Sequence, residues 1–338
     1  MESPRSRFDV FPPGARTSRR EFLAATSSAL ALTACGRAPY DRRLFTIPAN
    51  SPVGIYAAPT YASNFEDIVR RGLRELDVDV RGRRVFLKPN MVEYERDTAI
   101  NTNAMVVVGA ALAFRAAGAA SVTVGEGPGH RRDMEYLVTQ TGLYEHLRES
   151  RIKFVDLNHD DVSSVPLRSH FTELGQLALP DELMRADFIV SMPKLKTHHW
   201  AGMTASMKNL FGAVPGAFYG WPKNVLHMEG IENSILDLNS TIKPAFSIVD
   251  AVTAMEDDGP IMGRARHVGC LVMGRDVVAV DGTCARMMGL DPEQLSYLRE
   301  AGHFLGNLDK SRITQRGEPL ARFATRFEVI DAFKRMQL

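Results

Sequence analysis

Lysine and histidine side chains stand close together in the segment 192–216, which reads MPKLKTHHWAGMTASMKNLFGAVPG. Lys194 and Lys196 alternate along a predicted extended stretch, so their side chains share one face, and Lys208 follows in an apolar helical pattern. A lysine ammonium suits phosphate or carboxylate, and burial lowers its pKa until the amine can act as a base or nucleophile. The segment therefore predicts a site for a small anion. The alternative is that Lys208 extends from the helix into solvent.

Other apolar runs also end on ionisable or amide side chains. The run VFLKPN delivers Lys88 and Asn90, VTVGE ends on Glu126, and FSIVD ends on Asp250. Open parallel sheets bind ligands outside the carboxyl ends of their strands, so we expect these groups to converge. The histidines would then transfer protons, and the lysines and amides would hold the anion. The predicted catalytic residues are His198, His227 and Lys208, and the predicted ligand-binding residues are Lys88, Asn90, Lys194, Lys196 and Asn209.

A divalent metal ion is a second candidate for this site. Histidine and carboxylate side chains suit zinc, manganese or iron. Glu126 and Asp250 are the predicted metal ligands, beside His198 and His227. No pair of histidines shows the HExxH spacing of a helical zinc site, so spacing does not choose between metal and anion. Further candidates are His130, His199 and the acidic run Glu256, Asp257 and Asp258, which is equally consistent with a turn.

Cysteine usage disfavours an iron–sulfur cluster within this chain. Cys270 and Cys284 lie in apolar runs without CxxC spacing, and the third cysteine is Cys35. We predict that Cys270 and Cys284 are small buried core residues. The spacing leaves open whether they form a disulfide.

The charge balance excludes a bulk electrostatic partner. The 338 residues include 41 Lys and Arg against 40 Asp and Glu, a formal net charge of +1. A site for an anion must therefore be built locally, and binding to a nucleic-acid backbone is disfavoured. The 45% hydrophobic and 24% charged content is that of an ordinary globular protein.

The elements that would position these groups alternate between short β-branched runs and longer helical patterns. A strand at 83–92, a helix at 103–118 and a strand at 120–127 form one crossover unit. Further strands are predicted at 152–158, 186–199, 245–252 and 268–274, and further helices at 134–150, 204–214, 231–242, 279–289 and 292–302. This alternation predicts an α/β fold with a largely parallel sheet, helices on both faces and several strand–helix crossover units.

The first residues of the chain predict export. Arg19 and Arg20 stand in ARTSRREFL, a twin-arginine pattern, and an uncharged apolar stretch follows at 22–32. That stretch is well short of the roughly 20 residues needed to span a bilayer. It ends in LTACG, where Cys35 would become the lipid-modified first residue of the mature protein. A short buried helix with a chance cysteine is the alternative.

The predicted organisation is a signal peptide at 1–34, a flexible tether at 35–50 and an α/β domain at 51–338. The tether is rich in proline, arginine and small residues and has no periodicity. The predicted partners are the twin-arginine export machinery, the lipoprotein-processing enzymes and, through the lipid alone, the membrane. The predicted location is the periplasm or the extracytoplasmic face of the membrane.

Several blocks of the sequence resemble the bacterial and archaeal DUF362 family, an uncharacterised group. They are VFLKPNMV, VGEGPG, MPKLKTH, TASMKNLFGAVPG, IVDAV, DGPIMG and GRDVVAVDGTCARMMG, in family order over roughly residues 52–310. Some members carry iron–sulfur modules, whereas this chain lacks a ferredoxin-like cysteine cluster. The resemblance implies that signature positions are occupied by Lys88, Asn90, Glu126, Lys194, Lys196, His198, Lys208, Asn209, His227, Asp250 and Asp281.

The functional expectation is an exported protein that binds a small molecule bearing phosphate or carboxylate. As an enzyme it would transfer a proton next to that group, with or without a metal ion. The alternative is a periplasmic ligand-binding, cofactor-binding or accessory protein that performs no chemistry.

Overall fold

The computed structural model describes residues 38–129 and 133–338. The predicted export residues Arg19, Arg20 and Cys35 lie outside these ranges, as does the metal candidate His130. The folded unit runs from Tyr40 to Leu338. Over the described ranges, no helix combines the length and the apolar character needed to cross a membrane.

Twelve strands and eleven α-helices make up the described part of the chain. The strands are β1 (Ser51–Ala57), β2 (Arg84–Pro89), β3 (Ser121–Glu126), β4 (Lys153–Asp156), β5 (Val162–Pro166), β6 (Gln176–Pro180), β7 (Phe188–Met192), β8 (Lys194–His198), β9 (Gly202–Thr204), β10 (Phe246–Glu256), β11 (Arg264–Gly274) and β12 (Ile313–Gly317). The helices are α1 (Phe65–Glu75), α2 (Ala104–Ala116), α3 (Met134–Gln140), α4 (Leu143–Glu149), α5 (Asp181–Met184), α6 (Ser206–Asn209), α7 (Gly216–Tyr219), α8 (Asn224–Met228), α9 (Ile231–Ile242), α10 (Val277–Met287) and α11 (Ser296–Ala301).

A ten-stranded sheet forms the centre, in the order β12-β1-β11-β10-β7-β2-β3-β4, with β8 paired to β10 and to β9. The pairs from β10 through β7, β2 and β3 to β4 are parallel, as are β10 with β8 and β1 with β12. This confirms the predicted α/β fold with a mostly parallel sheet. The exceptions are β11, antiparallel to both β10 and β1, and β9, antiparallel to β8.

Alternating side chains along the inner strands bury both faces of the sheet. In β2, Val85 and Leu87 join the core beneath α1 and α2, whereas Phe86 joins the core on the opposite side. Because successive strand residues point to opposite faces, such a near-continuous apolar run needs helices on both sides. The cores beneath these helices fix the strand ends that carry the site.

Polar side chains define where the helices begin. The side chains of Asn64, Asn103 and Asp276 accept hydrogen bonds from the first backbone N–H groups of α1, α2 and α10. Each satisfies donors that have no partner within the helix, a contribution of about 1 kcal/mol per cap. At the start of α2 this cap stands directly after the loop that follows β2, so it also orders one side of the site.

Several elements differ from the predictions. The predicted helix 134–150 is two helices, because Gly142 adopts a left-handed backbone with φ of 72° between α3 and α4. The predicted helix 204–214 is the strand β9, the short helix α6 and a 3-10 turn at Leu210–Ala213. The strand β1, the helix α1, the hairpin β5–β6 and the edge strand β12 were not predicted.

The folded unit begins earlier than the predicted domain boundary. Tyr40 is buried and stacks on Phe304 with ring centroids 4.1 Å apart, and Phe45 meets the same ring edge-on at 4.9 Å. Residues Arg42–Leu44 form a 3-10 turn whose first turn is capped by Asp41. Tyr40 and Phe45, which lie in the segment predicted as a flexible tether, therefore pack on the domain through aromatic contacts that composition did not reveal.

Candidate functional site

A pocket of about 480 Å³ opens at the carboxyl ends of β2, β3 and β8. Its volume lies in the range of small-molecule sites. Its polar lining comes from Asn90, Glu93, Glu126, Lys196, His198, His199, Thr204, Lys208, Asn209, Lys223 and His227, and most of its remaining wall is apolar. The structure thus brings together seven predicted site residues, and Lys223 is an addition. The predicted residues Lys88, Lys194 and Asp250 do not line it.

Lys88 lies directly behind the pocket and is fully buried. Its Nζ donates to Glu126 Oε1 at 2.8 Å and Oε2 at 2.7 Å, and to Asn209 Oδ1 at 3.1 Å. Burial lowers the pKa of Lys88, while attraction to Glu126 acts in the opposite direction. The Glu126 carboxylate also accepts from the backbone N–H groups of Met91 and Gly127. Lys88 and Glu126 therefore form a hydrogen-bonded buried ion pair.

Backbone atoms of the 3-10 turn press against this ion pair. A Cβ added to Gly212 would overlap both Glu126 Oε1 and Lys88 Nζ. Glycine at 212 is therefore required by close approach, since its φ does not lie in the left-handed region. The turn that follows Lys208 is in this way held to the floor of the pocket.

Lys194 belongs to a second buried ion pair. Its Nζ lies 2.6 Å from Asp250 Oδ2 and 2.6 Å from the Tyr61 hydroxyl, and it donates to Thr253 O at 3.1 Å. Burial alone would lower the pKa of Lys194, but attraction to Asp250 and Tyr61 reverses the direction and raises it. Asp250 also accepts from Asn103 N. Lys194 is thus occupied by a protein carboxylate rather than open to a ligand.

Lys196 is equally buried but has no carboxylate partner among the described residues. Its Nζ donates to Ile100 O at 2.8 Å and Pro260 O at 3.3 Å. Burial, followed by repulsion from Lys208 and Lys194, lowers the pKa of Lys196 well below its ordinary value. Lys194 and Lys196, predicted to share one face, therefore have different surroundings. Lys194 is ion-paired, and Lys196 lines the pocket.

Lys208 reaches the pocket from the short helix α6. Within the described ranges its Nζ has no hydrogen-bond or ion-pair partner, and it sits 4.0 Å from the centroid of the Phe211 ring. Burial, with a smaller contribution from Lys88, lowers the pKa of Lys208 to about 7. At neutral pH a substantial fraction of this amine is therefore unprotonated.

Lys223 is a pocket residue that sequence reasoning missed. It is 1% exposed and donates from Nζ to Val214 O. Burial is the largest cause that lowers the pKa of Lys223 to about 7, and repulsion from Lys88 and Lys208 adds to it. Lys223 precedes α8 with a φ of 68°, so it sits in a loop where no strand or helix pattern marks it. The signal that could have found it is a lysine between an apolar turn and His227.

His198 faces the pocket in a defined tautomer. Its Nδ1 accepts from the backbone N–H groups of Trp200 at 3.1 Å and Ala201 at 3.3 Å, so the neutral ring carries its proton on Nε2. Burial, then repulsion from Lys208, lowers the pKa of His198 well below 6.5. His198 is therefore a neutral hydrogen-bond donor at physiological pH. His227 lies edge-on to Trp200, with centroids 5.4 Å apart, and its Nδ1 contacts Lys223 O.

Asn90 supplies an unused polar atom. Its Oδ1 is buried and has no hydrogen-bond partner among the described atoms, while its backbone N–H donates to Thr102 Oγ1 at 3.0 Å. A buried polar group without a partner costs about 1–3 kcal/mol, so such groups in native proteins usually face water or a ligand. Asn90 lines the pocket and is positioned to bind what enters it.

The predicted metal ligands are held apart by their lysine partners. Glu126 is bound to Lys88, and Asp250 is bound to Lys194. No group of three or more His, Cys, Asp or Glu side chains within the described ranges is arranged to hold a metal ion. Cys270 and Cys284 are both buried in the core and free. The donor set of the pocket consists of three amines and the neutral His198 imidazole beside the ion-paired Glu126 and the carboxylate of Glu93, and it fits an anion better than a cation.

The fold and this pocket define an α/β protein with a lysine-rich cavity at the carboxyl edge of its sheet. Residues 85–286 match the model of the family described as "Domain of unknown function (DUF362)", and the chain belongs to this family. The matched range contains the five lysines described above.

Two kinds of relative extend the comparison. A thylakoid-associated protein of Synechocystis sp. is 37% identical over 124 residues, which are 35% of this chain and 37% of that protein. The lactate racemase apoprotein of Thermoanaerobacterium thermosaccharolyticum superposes with a TM-score of 0.46 at 13% identity, covering 72% of this chain and 57% of its own. A Thermotoga maritima protein gives a TM-score of 0.34 at 14% identity, covering 65% of this chain and 58% of its own. The matches span less than two thirds of each of these proteins.

Proposed function

We propose that this protein binds a small organic anion in the pocket and transfers a proton to or from it. One observation carries the proposal: Lys196, Lys208 and Lys223 converge on one cavity, and none has a carboxylate partner among the described residues. Each is buried enough to lower its pKa. An incoming phosphate or carboxylate would supply the missing counter-charge and restore the protonated form of these amines.

Electrostatics favour an anion over a neutral ligand. Clustered ammonium groups repel one another strongly in a low-dielectric cavity, and the apo protein relieves this repulsion by releasing protons. Repulsion from Lys208 lowers the pKa of both Lys196 and Lys223. Ligand binding therefore couples to proton uptake, which a site for a neutral molecule would not show.

Proton transfer follows from the two groups that stand beside the anion. Lys208 supplies an amine whose pKa of about 7 lies near the operating pH, as an effective general base requires. His198 supplies an N–H donor on Nε2 that stays neutral. Together they could remove a proton from a C–H next to the anionic group and stabilise the charge that develops there.

Thermal melting tests the anion site. Inorganic phosphate, phenyl phosphate and 3-phenylpropionate are added to the full chain, and a bound anion should stabilise it by about 2.7 kcal/mol at a hundredfold excess over its dissociation constant. Lys208→Met should abolish this shift while leaving the apo protein at least as stable, since a repelling charge is lost. Lys153→Met is the matched control, because Lys153 is exposed and paired with Glu182 at 2.8 Å.

The opposite pattern would reject the proposal. If Lys208→Met melts far below the parent and no anion shifts the parent, the lysines hold the fold together and bind nothing. Chemistry is tested separately with a bound anion in D₂O, where NMR follows exchange of its acidic C–H. Binding without exchange, in the parent and in His198→Asn alike, would make the protein a ligand-binding or accessory protein instead of an enzyme.

We also propose that the chain is an exported lipoprotein. The support is the ordered signal in the sequence, with Arg19 and Arg20 ahead of an apolar stretch and Cys35 after it. Arg19→Lys with Arg20→Lys should retain the precursor in the cytoplasm, and Cys35→Ala should release the domain from the membrane. Fractionation with labelled palmitate tests both. A Cys35→Ala protein that remains as membrane-bound as the parent would exclude the lipid anchor.

A further inference from the structure

Lys208 differs from every other lysine in and behind the pocket. Lys88 and Lys194 are ion-paired, and Lys196 and Lys223 donate to backbone carbonyl groups. Lys208 alone among these five has neither an ion pair nor a hydrogen bond within the described ranges. Ion pairs and hydrogen bonds donated to carbonyl groups favour the ammonium form, which has no lone pair with which to attack carbon, and Lys208 lacks both.

The surroundings of Lys208 keep that lone pair available. The Phe211 ring and the cavity wall reduce the water that can solvate an ammonium on the partly buried Lys208, and repulsion from Lys88 disfavours a second charge. With its pKa lowered to about 7, Lys208 is roughly half unprotonated at neutral pH, whereas an ordinary lysine is unprotonated in about one molecule per few thousand. The pKa of Lys223 is lowered to about 7 as well, but Lys223 donates to Val214 O, whereas Lys208 has no such bond, so Lys208 is the favoured nucleophile.

We infer that Lys208 forms a Schiff base with the carbonyl carbon of an anionic oxo compound, a 2-oxo acid with an apolar body. The inference deepens the anion-binding part of the proposed function and rests on it, because the carboxylate of the substrate is the anion that the pocket binds. In this reaction Lys208 is the nucleophile and takes the place of the general base. It also names the substrate class, which the charge of the pocket alone does not.

The reaction balances without an oxidant or reductant. The amine nitrogen attacks the carbonyl carbon, a C–N bond forms, and the carbonyl π pair moves to oxygen, which accepts a hydrogen bond from His198 Nε2–H. Both protons of the neutral amine pass from nitrogen to this oxygen, the C–O bond breaks as water leaves, and the nitrogen lone pair forms the C=N bond. One ketone and one amine thus give one imine and one water. His198 has the required tautomer because its Nδ1 accepts two backbone hydrogen bonds.

The apolar wall selects the body of the substrate. Trp200, Phe211, Ile261 and Met262 also line the cavity, and Trp200 and Met262 are exposed. Burying an aromatic or branched side chain there removes apolar surface from water at about 25 cal/mol per Å². Phenylpyruvate combines a carboxylate, a neighbouring ketone and an aromatic ring, and is the probe of choice.

Reductive trapping tests the inference. The full chain is incubated at pH 7 with phenylpyruvate and cyanoborohydride, and peptide mapping by mass spectrometry locates the secondary amine. We expect one adduct on Lys208, at least about tenfold above the exposed Lys153, since far more of the Lys208 amine is unprotonated. Lys208→Arg should lose the adduct, and Lys153→Arg should keep it. 3-Phenylpropionate, which lacks the ketone, should compete without forming an adduct.

The outcomes separate this inference from the proposed function. Thermal stabilisation by both compounds without an adduct on Lys208 overturns the Schiff base and leaves the anion site intact. Neither stabilisation nor an adduct overturns both. An adduct spread evenly over Lys208 and Lys153 also overturns the Schiff base, and because it is read in the parent protein it does not depend on how well Lys208→Arg folds.

Discussion

Buried lysines occur in two different settings in this protein. We call the two ion-paired lysines, Lys88 and Lys194, the floor lysines, and compare them with the lysines that line the pocket. On the floor, Lys88 and Lys194 each meet a carboxylate within 2.8 Å, in a setting closed to ligands. In the pocket, Lys196 and Lys223 donate hydrogen bonds to backbone carbonyl groups and Lys208 contacts the Phe211 ring. None of these three lysines has a carboxylate partner among the described residues. The difference shows that burial alone does not define a functional lysine; the identity of its partner does.

This contrast has an energetic basis. Breaking a buried ion pair leaves one charge in a low-dielectric interior without compensation, which costs several kcal/mol. Removing a lysine that has no counter-charge relieves repulsion instead. The floor lysines should therefore control stability, and the pocket lysines should control binding.

The largest effect is expected from breaking the floor pair. Glu126→Gln removes the charge that faces Lys88 and should lower the free energy of unfolding by about 3–5 kcal/mol, measured by urea denaturation. Glu126→Gln combined with Lys88→Met should recover much of that loss, because neither partner is then left charged. A single variant as stable as the parent would remove the distinction between floor and pocket.

Introducing a steric overlap with the Lys88–Glu126 pair should have an intermediate effect on the free energy of unfolding. Gly212→Ala introduces a Cβ that overlaps Glu126 Oε1 and Lys88 Nζ, and overpacking of this kind costs about 1–3 kcal/mol. Gly129→Ala is the control, since the nearest atom to its Cβ would be Pro222 O at 3.8 Å. Equal melting temperatures for the two variants would show that the turn yields and does not clamp the pair.

The pH dependence of stability should distinguish a pocket lysine from a floor lysine. The pKa of Lys208 is about 7 in the folded chain and about 10.4 when unfolded, so the unfolded chain binds more protons between these values. The free energy of unfolding should therefore rise with pH across this window. Lys208→Met should reduce that slope by less than the roughly 1.4 kcal/mol per pH unit that one whole proton carries, because Lys208 is partly open to solvent. An unchanged slope in denaturation curves from pH 7 to 10 would contradict the lowered pKa.

The smallest effect is expected at Asn90. Asn90→Ala removes an amide that has no protein partner at Oδ1, so apo stability should stay the same or rise slightly. Anion affinity measured by calorimetry should fall about fivefold if the amide donates one hydrogen bond to the ligand. Asn209→Ala, by contrast, removes hydrogen bonds to Lys88 and should lower stability as well. Unchanged affinity in Asn90→Ala would place the ligand elsewhere in the cavity.

The convergence of the site was predictable because it follows from sheet topology. Lys88 ends β2, Glu126 ends β3 and His198 ends β8, and the carboxyl ends of parallel strands meet at one edge. The partners of these groups were not predictable. Asp250 was expected to hold a metal, but it binds Lys194, a contact between β8 and β10 that no local pattern encodes.

The sheet topology also shows which strand pairings could be predicted from local sequence patterns and which could not. The seven residues between β10 and β11 are too few for a helical crossover, so the short connection could have indicated an antiparallel hairpin. The strand β1 and the edge strand β12 pair with each other across more than 250 positions, and such a long-range pairing leaves no trace in nearby residues. Lys223 was not predicted because it lies in a loop, where no strand or helix pattern marks it.

The aromatic contact of Tyr40 with Phe304 limits the length of chain that could connect the domain to a lipid on Cys35. If Cys35 carries a lipid, four residues lie between it and Tyr40, in place of the fifteen between Cys35 and the predicted start of the domain at residue 51. Even fully extended, the five Cα–Cα steps from Cys35 to Tyr40 span only about 17 Å. A lipid on Cys35 would therefore hold Tyr40 close to the bilayer surface.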